Sequence, residues 1–482
     1  SWYDYSMVTG FDTNYFKFNN FEAGSTVKWG DIESSASDYT LMSYMGRINY
    51  MFNDKYVVTL NARADGSSKL GANHKWGFFP SASAAWIVSN EGFMKNQSLF
   101  SNLKVRVGYG VTGNQDAISA YRSLKLMTPN GTTTYNGSTV TTYTLDSNPN
   151  PDLKWETKYT MDAGIDFELW RGRMSGTVDV YRSTTKDLLY TYTVPVPPFA
   201  YTTLLANMGT MTNNGVEIAL RGAIVETREW GLEIGGNVAF QKNELVSLSG
   251  TYQGQELTTA KYIALASADC NGLTSNTNVV YMTEGYPVNI FRLPVHDGFN
   301  VNPENGHKTY QFKDIDGVEG ITLDDNGDRE YLGQATPKAV SSFNVKLRWK
   351  NLDLTAQANG AFGHMIYNFQ GLRLSNLGAF PTYNVLKTAP ALGIYNAQHT
   401  SYWLEKGDYV NIEYITLGYN IPVNNAKYIK SARVALSCNN VATITGYTGM
   451  TPLLNNATLG GGIDRNIFPI MRTFTAQLSV RF

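Results

Sequence analysis

Along the last twelve residues, Met471 to Phe482, apolar side chains at Phe474, Ala476, Leu478, Val480 and Phe482 alternate with polar ones at Thr473, Thr475, Gln477, Ser479 and Arg481. A period of two marks a strand with one apolar and one wet face. A soluble sandwich can also end on such a strand, but here the pattern recurs about a dozen times upstream, as a membrane-spanning barrel requires. Tyr44, Gly46, Ile48, Tyr50 and Phe52 alternate with polar residues, Asn53-Asp54 turns the chain, and Tyr56, Val58, Leu60 and Ala62 carry the apolar face back. Phe343, Val345, Leu347 and Trp349 face one way while Asn344, Lys346 and Arg348 face the other; Leu352, Leu354, Ala356 and Ala358 continue beyond the Lys350-Asn351 turn. Lysine and arginine on the second face do not suit a dry sandwich core but are ordinary in a water-filled lumen. The expected fold class is all-β, a transmembrane antiparallel β-barrel.

Loop lengths alternate. Short connections fall near 53–54, 89–101, 170–173, 225–229, 350–351 and 422–430, and long ones near 65–76, 112–155, 184–210, 242–337, 363–407 and 441–469. Outer-membrane barrels have short periplasmic turns and long external loops, and the parity holds across about thirteen strands, with residues 3–10 offering a fourteenth. A parity change between Tyr414 and Ile415 reads as a β-bulge. The segments 242–337 and 363–407 are too long for structureless loops and are expected to fold as external excursions within a barrel portion covering 1–482.

Composition removes other classes. With 39 basic and 40 acidic residues among 482, no nucleic-acid-binding surface is implied. No apolar run reaches the ~18 residues of a transmembrane helix. No signal peptide stands at the start, so an exported, processed or truncated chain is expected. The 31 Tyr, 22 Phe and 9 Trp residues would supply aromatic girdles and ligand contacts. Cys438 alternates with Ala432, Val434 and Leu436, which favours a small lipid-facing residue over a disulfide with Cys270.

Three motifs carry chemistry. Gly108, Gly110 and Gly113 match G-x-G-x-x-G, but a polar loop follows where a nucleotide site needs a helix, so a strand end is expected. Asp314, Asp316, Asp324, Asn326 and Asp328 are candidate hard-oxygen ligands for a structural Ca²⁺, although the EF-hand pattern is not met and a solvated loop with Asx turns explains them equally. Tyr281, Tyr286, Phe291, Tyr310, Tyr367, Phe380, Tyr383, Tyr402 and Trp403 could face a sugar, a peptide or a lid protein, or form small loop cores. The five histidines are scattered and no G-x-S-x-G elbow appears, so no enzyme is expected.

Several phrases are more specific. Asp65-Gly-Ser-Ser68, Lys75-Trp76-Gly77, Phe79-Pro80-Ser81, the stretch Leu103–Gln115, Asn150–Glu156, Asn207–Glu217, Gly446-Tyr-Thr-Gly449, and Trp403–Tyr409 running to Leu417-Gly-Tyr419 resemble the SusC/RagA family of TonB-linked outer-membrane proteins over nearly the whole chain. The resemblance implies a barrel of about 22 strands holding an N-terminal plug. It implies import of oligosaccharides, or else peptides, across the outer membrane of Bacteroidota. TonB would pull on the plug, a SusD-like surface lipoprotein would act as a lid, and importer units could pair as dimers. The plug and about eight early strands of that barrel have no counterpart here, so they are expected in another part of the chain or in a second chain. Met450-Thr451-Pro452-Leu453 also replaces the family's acidic-Pro-Glu continuation. A passive porin and a structural or secretion barrel are the competing classes.

Overall fold

A computed structural model describes residues 2–13, 24–26, 32–270, 272–273, 277–423, 428–454, 458–465 and 467–482. Its centre is one antiparallel sheet of 13 strands. These are β1 (Leu41–Phe52), β2 (Tyr56–Ser67), β3 (Trp76–Ile87), β4 (Phe100–Asn114), β5 (Glu156–Leu169), β6 (Met174–Thr193), β7 (Thr203–Glu226), β8 (Trp230–Ser247), β9 (Ala339–Trp349), β10 (Leu352–Phe362), β11 (Tyr409–Ile421), β12 (Ser431–Thr445) and β13 (Thr473–Arg481). Each pairs with its sequence neighbour, a pure up-and-down meander. Neither β1 nor β13 has a second neighbour among the described residues, so the sheet has two open edges.

The alternation separates the faces as expected. Ile48, Leu60, Val107, Ile165, Val180, Leu220, Phe343, Leu417, Leu436 and Leu478, on ten different strands, are exposed on one face. Leu347 and Leu354 pair with each other and are half-exposed on the same face. The opposite face carries charge in pairs. Arg106 bridges Asp166 (3.1 Å) and Asp179 (2.6 Å), and Lys104 joins Asp166 at 2.6 Å. Glu233 holds Arg221 (2.6 Å) and Lys346 (3.4 Å), and Arg433 grips Asp353 through both carboxylate oxygens. Trp86, Trp170, Trp230 and Trp349 are exposed at the short-turn end, where Trp230 stacks on Trp349 at 5.6 Å. Phe78, on the same strand as Trp86 and eight residues away, lies roughly 27 Å along the strand at ~3.4 Å per residue. With strands tilted by about 40°, that length projects to roughly 21 Å along the membrane normal, within the ~25 Å apolar band of an outer-membrane barrel.

The short turns use residues that accept positive φ. Asn53 and Asp54 (57° and 55°) close β1–β2, and Trp170, Arg171 and Gly172 (51°, 60° and 81°) close β5–β6. The G-x-G-x-x-G motif lies inside β4, with no helix after it. A Cβ on Gly113 would stand 2.1 Å from the Phe79 ring, so close packing accounts for that glycine.

Three expectations change. Residues 2–6 pair with 32–36 in a separate two-stranded sheet, so the segment 3–10 adds no fourteenth strand to the large sheet. The bulge in β11 sits one residue earlier than expected, at Glu413, whose carboxylate accepts from Gln357 (2.9 Å) and Asn359 (3.3 Å). The segment 184–210 is mostly strand. β6 and β7 run 20 and 24 residues, so β7 spans roughly 80 Å at ~3.3 Å per residue and outreaches the ~30 Å hydrocarbon layer. A register shift at Asp187 broke the alternation that would have revealed this. Cys270 and Cys438 are free thiols.

Candidate functional site

The long connections do not remain separate loops. Strands Ile263–Ser267, Asn278–Met282, Ile290–Leu293 and Glu330–Gln334 make a four-stranded sheet, and His296–Val301 pairs with Lys308–Phe312. The helix Phe369–Ser375, started by Asn368 accepting from Gly371, adds Phe369 and Leu372 to the same core. Their buried residues merge into one core: Val279, Val280, Phe291, Leu293 and Tyr310 from 242–337, Tyr367, Leu372 and Trp403 from 363–407, and Ile463 from the last long loop. The two excursions therefore co-fold as one unit, to which the last long loop contributes Ile463.

His399 is the joint. It is fully buried; Tyr367 donates to its Nδ1 at 2.8 Å, and its Nε2–H donates to the Ala268 carbonyl at 2.8 Å. Burial pushes its pKa down to about 4, which the Ala268 bond offsets only in part, so the imidazole stays neutral at pH 7. The histidine thus ties the first excursion to the second.

The aromatic candidates divide by burial. Tyr281, Phe291, Tyr310, Tyr367 and Trp403 are core residues. Trp403 Nε1 donates to the Tyr310 hydroxyl at 2.7 Å, and Arg329 donates to the Tyr281 hydroxyl at 2.5 Å. They hold the unit together and present no surface to a ligand. Phe380, Tyr383 and Tyr402 are exposed, and Tyr286 is half-exposed.

Tyr286 belongs to a cavity of about 520 Å³ above the long-loop end of β8. Backbone bonds from Leu245 to Tyr286 (3.0 Å) and from Gly285 to Leu245 (2.7 Å) fix it there. Tyr286 and Tyr331 stack with ring centroids 3.9 Å apart, and Tyr262 is tilted 6.4 Å from Tyr331. The buried Arg292 guanidinium lies 3.8 Å from the Tyr262 ring centroid, a cation–π contact that stiffens the platform. Lys261, hydrogen-bonded to the Tyr262 hydroxyl, lowers that phenol's pKa against the opposing pull of burial, with help from Arg292. Glu256, Thr258, Thr259, Met282 and Glu284 also line it. Aromatic faces rimmed by hydrogen-bonding groups bind ring-shaped polar ligands by stacking and orient them by their edges. Tyr331 gives no signal in the sequence because it sits in a five-residue strand, and its ring partners Tyr286 and Tyr262 are distant in the chain. Tyr383 lines a second cavity, of about 510 Å³, with Asp269, Cys270, Arg373 and Asn384.

The acidic loop also divides. Oxygens of Asp314, Asp316 and Asp328 lie within 4.8 Å of one another. Asp328 is buried, and its carboxylate accepts from the backbone N–H of Ile315 (2.5 Å), Asp316 (3.1 Å) and Thr322 (2.8 Å). Burial would raise its pKa, but these bonds outweigh burial and hold it below the usual carboxylate range. Asp324 instead accepts from Asn326 N–H at 3.1 Å in an Asx turn, so Asp324 stands outside the trio. Arg292 donates to the carbonyls of Asp325 (2.5 Å) and Gly327 (3.3 Å), and Arg329 to that of Leu323 (3.1 Å). The same Arg292 that underlies the tyrosine platform therefore anchors the acidic loop.

The family model described as TonB dependent receptor-like, beta-barrel, matches residues 1–441. TonB-dependent receptor P3 of Formosa agariphila is 29% identical over 510 residues, covering 99% of this chain and 49% of that protein. TonB-dependent receptor SusC of Bacteroides thetaiotaomicron is 28% identical, covering 99% and 48%. The RagAB peptide importer in its open-open state superposes with a TM-score of 0.77 at 23% identity, covering 97% of this chain and 49% of that one, which shows a shared fold. The chain spans about half the length of these relatives. A 13-strand amphipathic meander with a folded loop unit at one end, matched from residue 1 to 441, makes this chain a member of the TonB-dependent receptor β-barrel family of the outer membrane.

Proposed function

We propose that the chain forms most of the barrel wall and the outward capture surface of a TonB-dependent nutrient importer whose substrate is an oligosaccharide. The observation that carries this is the tyrosine-lined cavity in a unit built wholly from the long loops, above a wall that is apolar outside and charged inside. Short turns face the periplasm and long loops the exterior, following the general asymmetry of such barrels. Further strands, from another part of the same protein or from a second chain, would pair with the open edges of β1 and β13, since an unpaired edge in hydrocarbon costs several kcal/mol per polar group. A wet conduit of this width needs a plug, on which TonB acts. A SusD-like surface lipoprotein caps the loop unit; exposed Phe380, Tyr383 and Tyr402 suit such a contact. Asp314, Asp316 and Asp328 would be the ligands of a structural Ca²⁺. Nothing covalent happens to the cargo.

Growth of a gene-deletion strain on single glycans and on peptides tests the proposal. Loss of growth on one glycan, reproduced by Tyr286→Ala with Tyr331→Ala, is expected. Loss confined to peptides would move the reading to a peptide importer. An unchanged profile on every nutrient would sink import altogether.

A further inference from the structure

The outer wall contains a groove that capture and transport do not use. Near the short-turn end, Gly222 of β7 and Gly236 of β8 lie on the apolar face, paired with Met174 and Ile234, and with Leu220 and Phe343, respectively. The two absent side chains leave a depression of about 720 Å³ across β6–β9, walled by Ile218, Leu220, Ile224, Val238 and Phe343. Trp170 and Arg173 of the β5–β6 turn line one end. An apolar trough that ends at a tryptophan and a guanidinium matches a lipid in both parts. The trough takes hydrocarbon, the indole sits at headgroup level, and a guanidinium grips phosphate in a fork.

We propose that this groove is a binding site for a resident diacyl phospholipid of the periplasmic leaflet, with one acyl chain along Gly222 and Gly236 and its phosphate at Arg173. The assignment of leaflet rests on the orientation proposed above. Gly222 supplies a clean test, because a Cβ there meets Ile224 Cδ1 at 3.4 Å and only the Arg173 carbonyl at 3.9 Å beyond it. A side chain can therefore enter the groove without disturbing the strand. Gly236 is unsuitable, since a Cβ there would stand 2.9 Å from the Ser342 carbonyl.

The experiment is native mass spectrometry of the full-length importer, purified from the outer membrane, delipidated, and offered phosphatidylglycerol or phosphatidylethanolamine. Wild type should take one tightly held lipid per chain. Gly222→Phe should lower that adduct at least tenfold for both lipids, and Arg173→Gln several-fold, with heat-modifiable gel mobility showing that each barrel is folded. Preference for one lipid would identify the headgroup; equal binding would leave the phosphate as the recognised group. Equal adducts in wild type and Gly222→Phe, or none in wild type, would overturn the proposal. So would a wild-type dimer that Gly222→Phe dissociates, which would make the groove a seam between copies. Nutrient uptake by Gly222→Phe should be retained, so failure of the lipid site and failure of the import reading give different results.

Discussion

Acidification should loosen the loop unit through one residue. His399 has a pKa of about 4 in the fold against 6.5 when free. Between those values the unfolded state binds more protons than the folded one, so stability rises with pH and is lost as pH falls. Each pH unit between the two values is worth about 1.36 kcal/mol, so the loss from neutrality to pH 5 is about 2 kcal/mol and saturates near 3 kcal/mol below pH 4. Because His399 joins Ala268 to Tyr367, the effect should appear in the loop unit and spare the wall. Hydrogen exchange, corrected for intrinsic rates, reads it directly. At pH 5, amides of Val279, Val280, Phe291 and Leu372 should open roughly twentyfold more often than at pH 7, while those of β10 and β12 stay unchanged. His399→Gln keeps a donor for the Ala268 carbonyl but cannot titrate, so it should be weaker at pH 7 and lack most of the added opening at pH 5. Identical pH dependence in His399→Gln and wild type would refute the reasoning.

Asp328→Asn should release the acidic loop. It replaces a carboxylate that accepts from backbone N–H groups with an amide that can turn only one oxygen to them; a cost of about 2 kcal/mol should appear as faster proteolysis between 314 and 328. Trp403→Ala removes a buried indole and its bond to Tyr310 and should destabilise the unit by roughly 3–5 kcal/mol, read as exposed loops in limited proteolysis of an intact barrel. Leu436→Arg places a charge on the lipid face and should cost about 2–4 kcal/mol if it lies at mid-membrane, measured as a lower folded fraction in urea titrations in bilayers.

The wall was legible because a period of two records a choice between two solvents at every residue. Leu478 and Gln477 announce their faces without help from distant contacts. Legibility ended wherever one residue broke the count: the shift at Asp187 hid half of a 20-residue strand, and Glu413 moved a bulge by one position. The loop unit was only half visible. Its aromatic content signalled a fold of some kind, but the sorting of Tyr281 and Phe291 into a core, and of Tyr286 onto a surface platform, depends on contacts between segments far apart in the chain. His399 carried no local signal at all, since its partners Ala268 and Tyr367 come from two different loops. The acidic cluster looked like one site because its residues are close in sequence, yet backbone N–H groups draw Asp328 inward while Asp324 serves its own turn.

A barrel wall is defined by which of its faces meets hydrocarbon. Single spin labels, introduced as cysteines after Cys270→Ser and Cys438→Ala, measure this position by position in the reconstituted importer. Labels replacing Leu347, Leu354 and Leu478 should be relaxed by lipid-soluble oxygen, and those replacing Lys346, Asp353 and Gln477 by a water-soluble nickel complex, so that preference alternates at every residue. Equal accessibility at both sets, or a preference for nickel at Leu347 and Leu354, would contradict the claim that these strands line a channel through a bilayer.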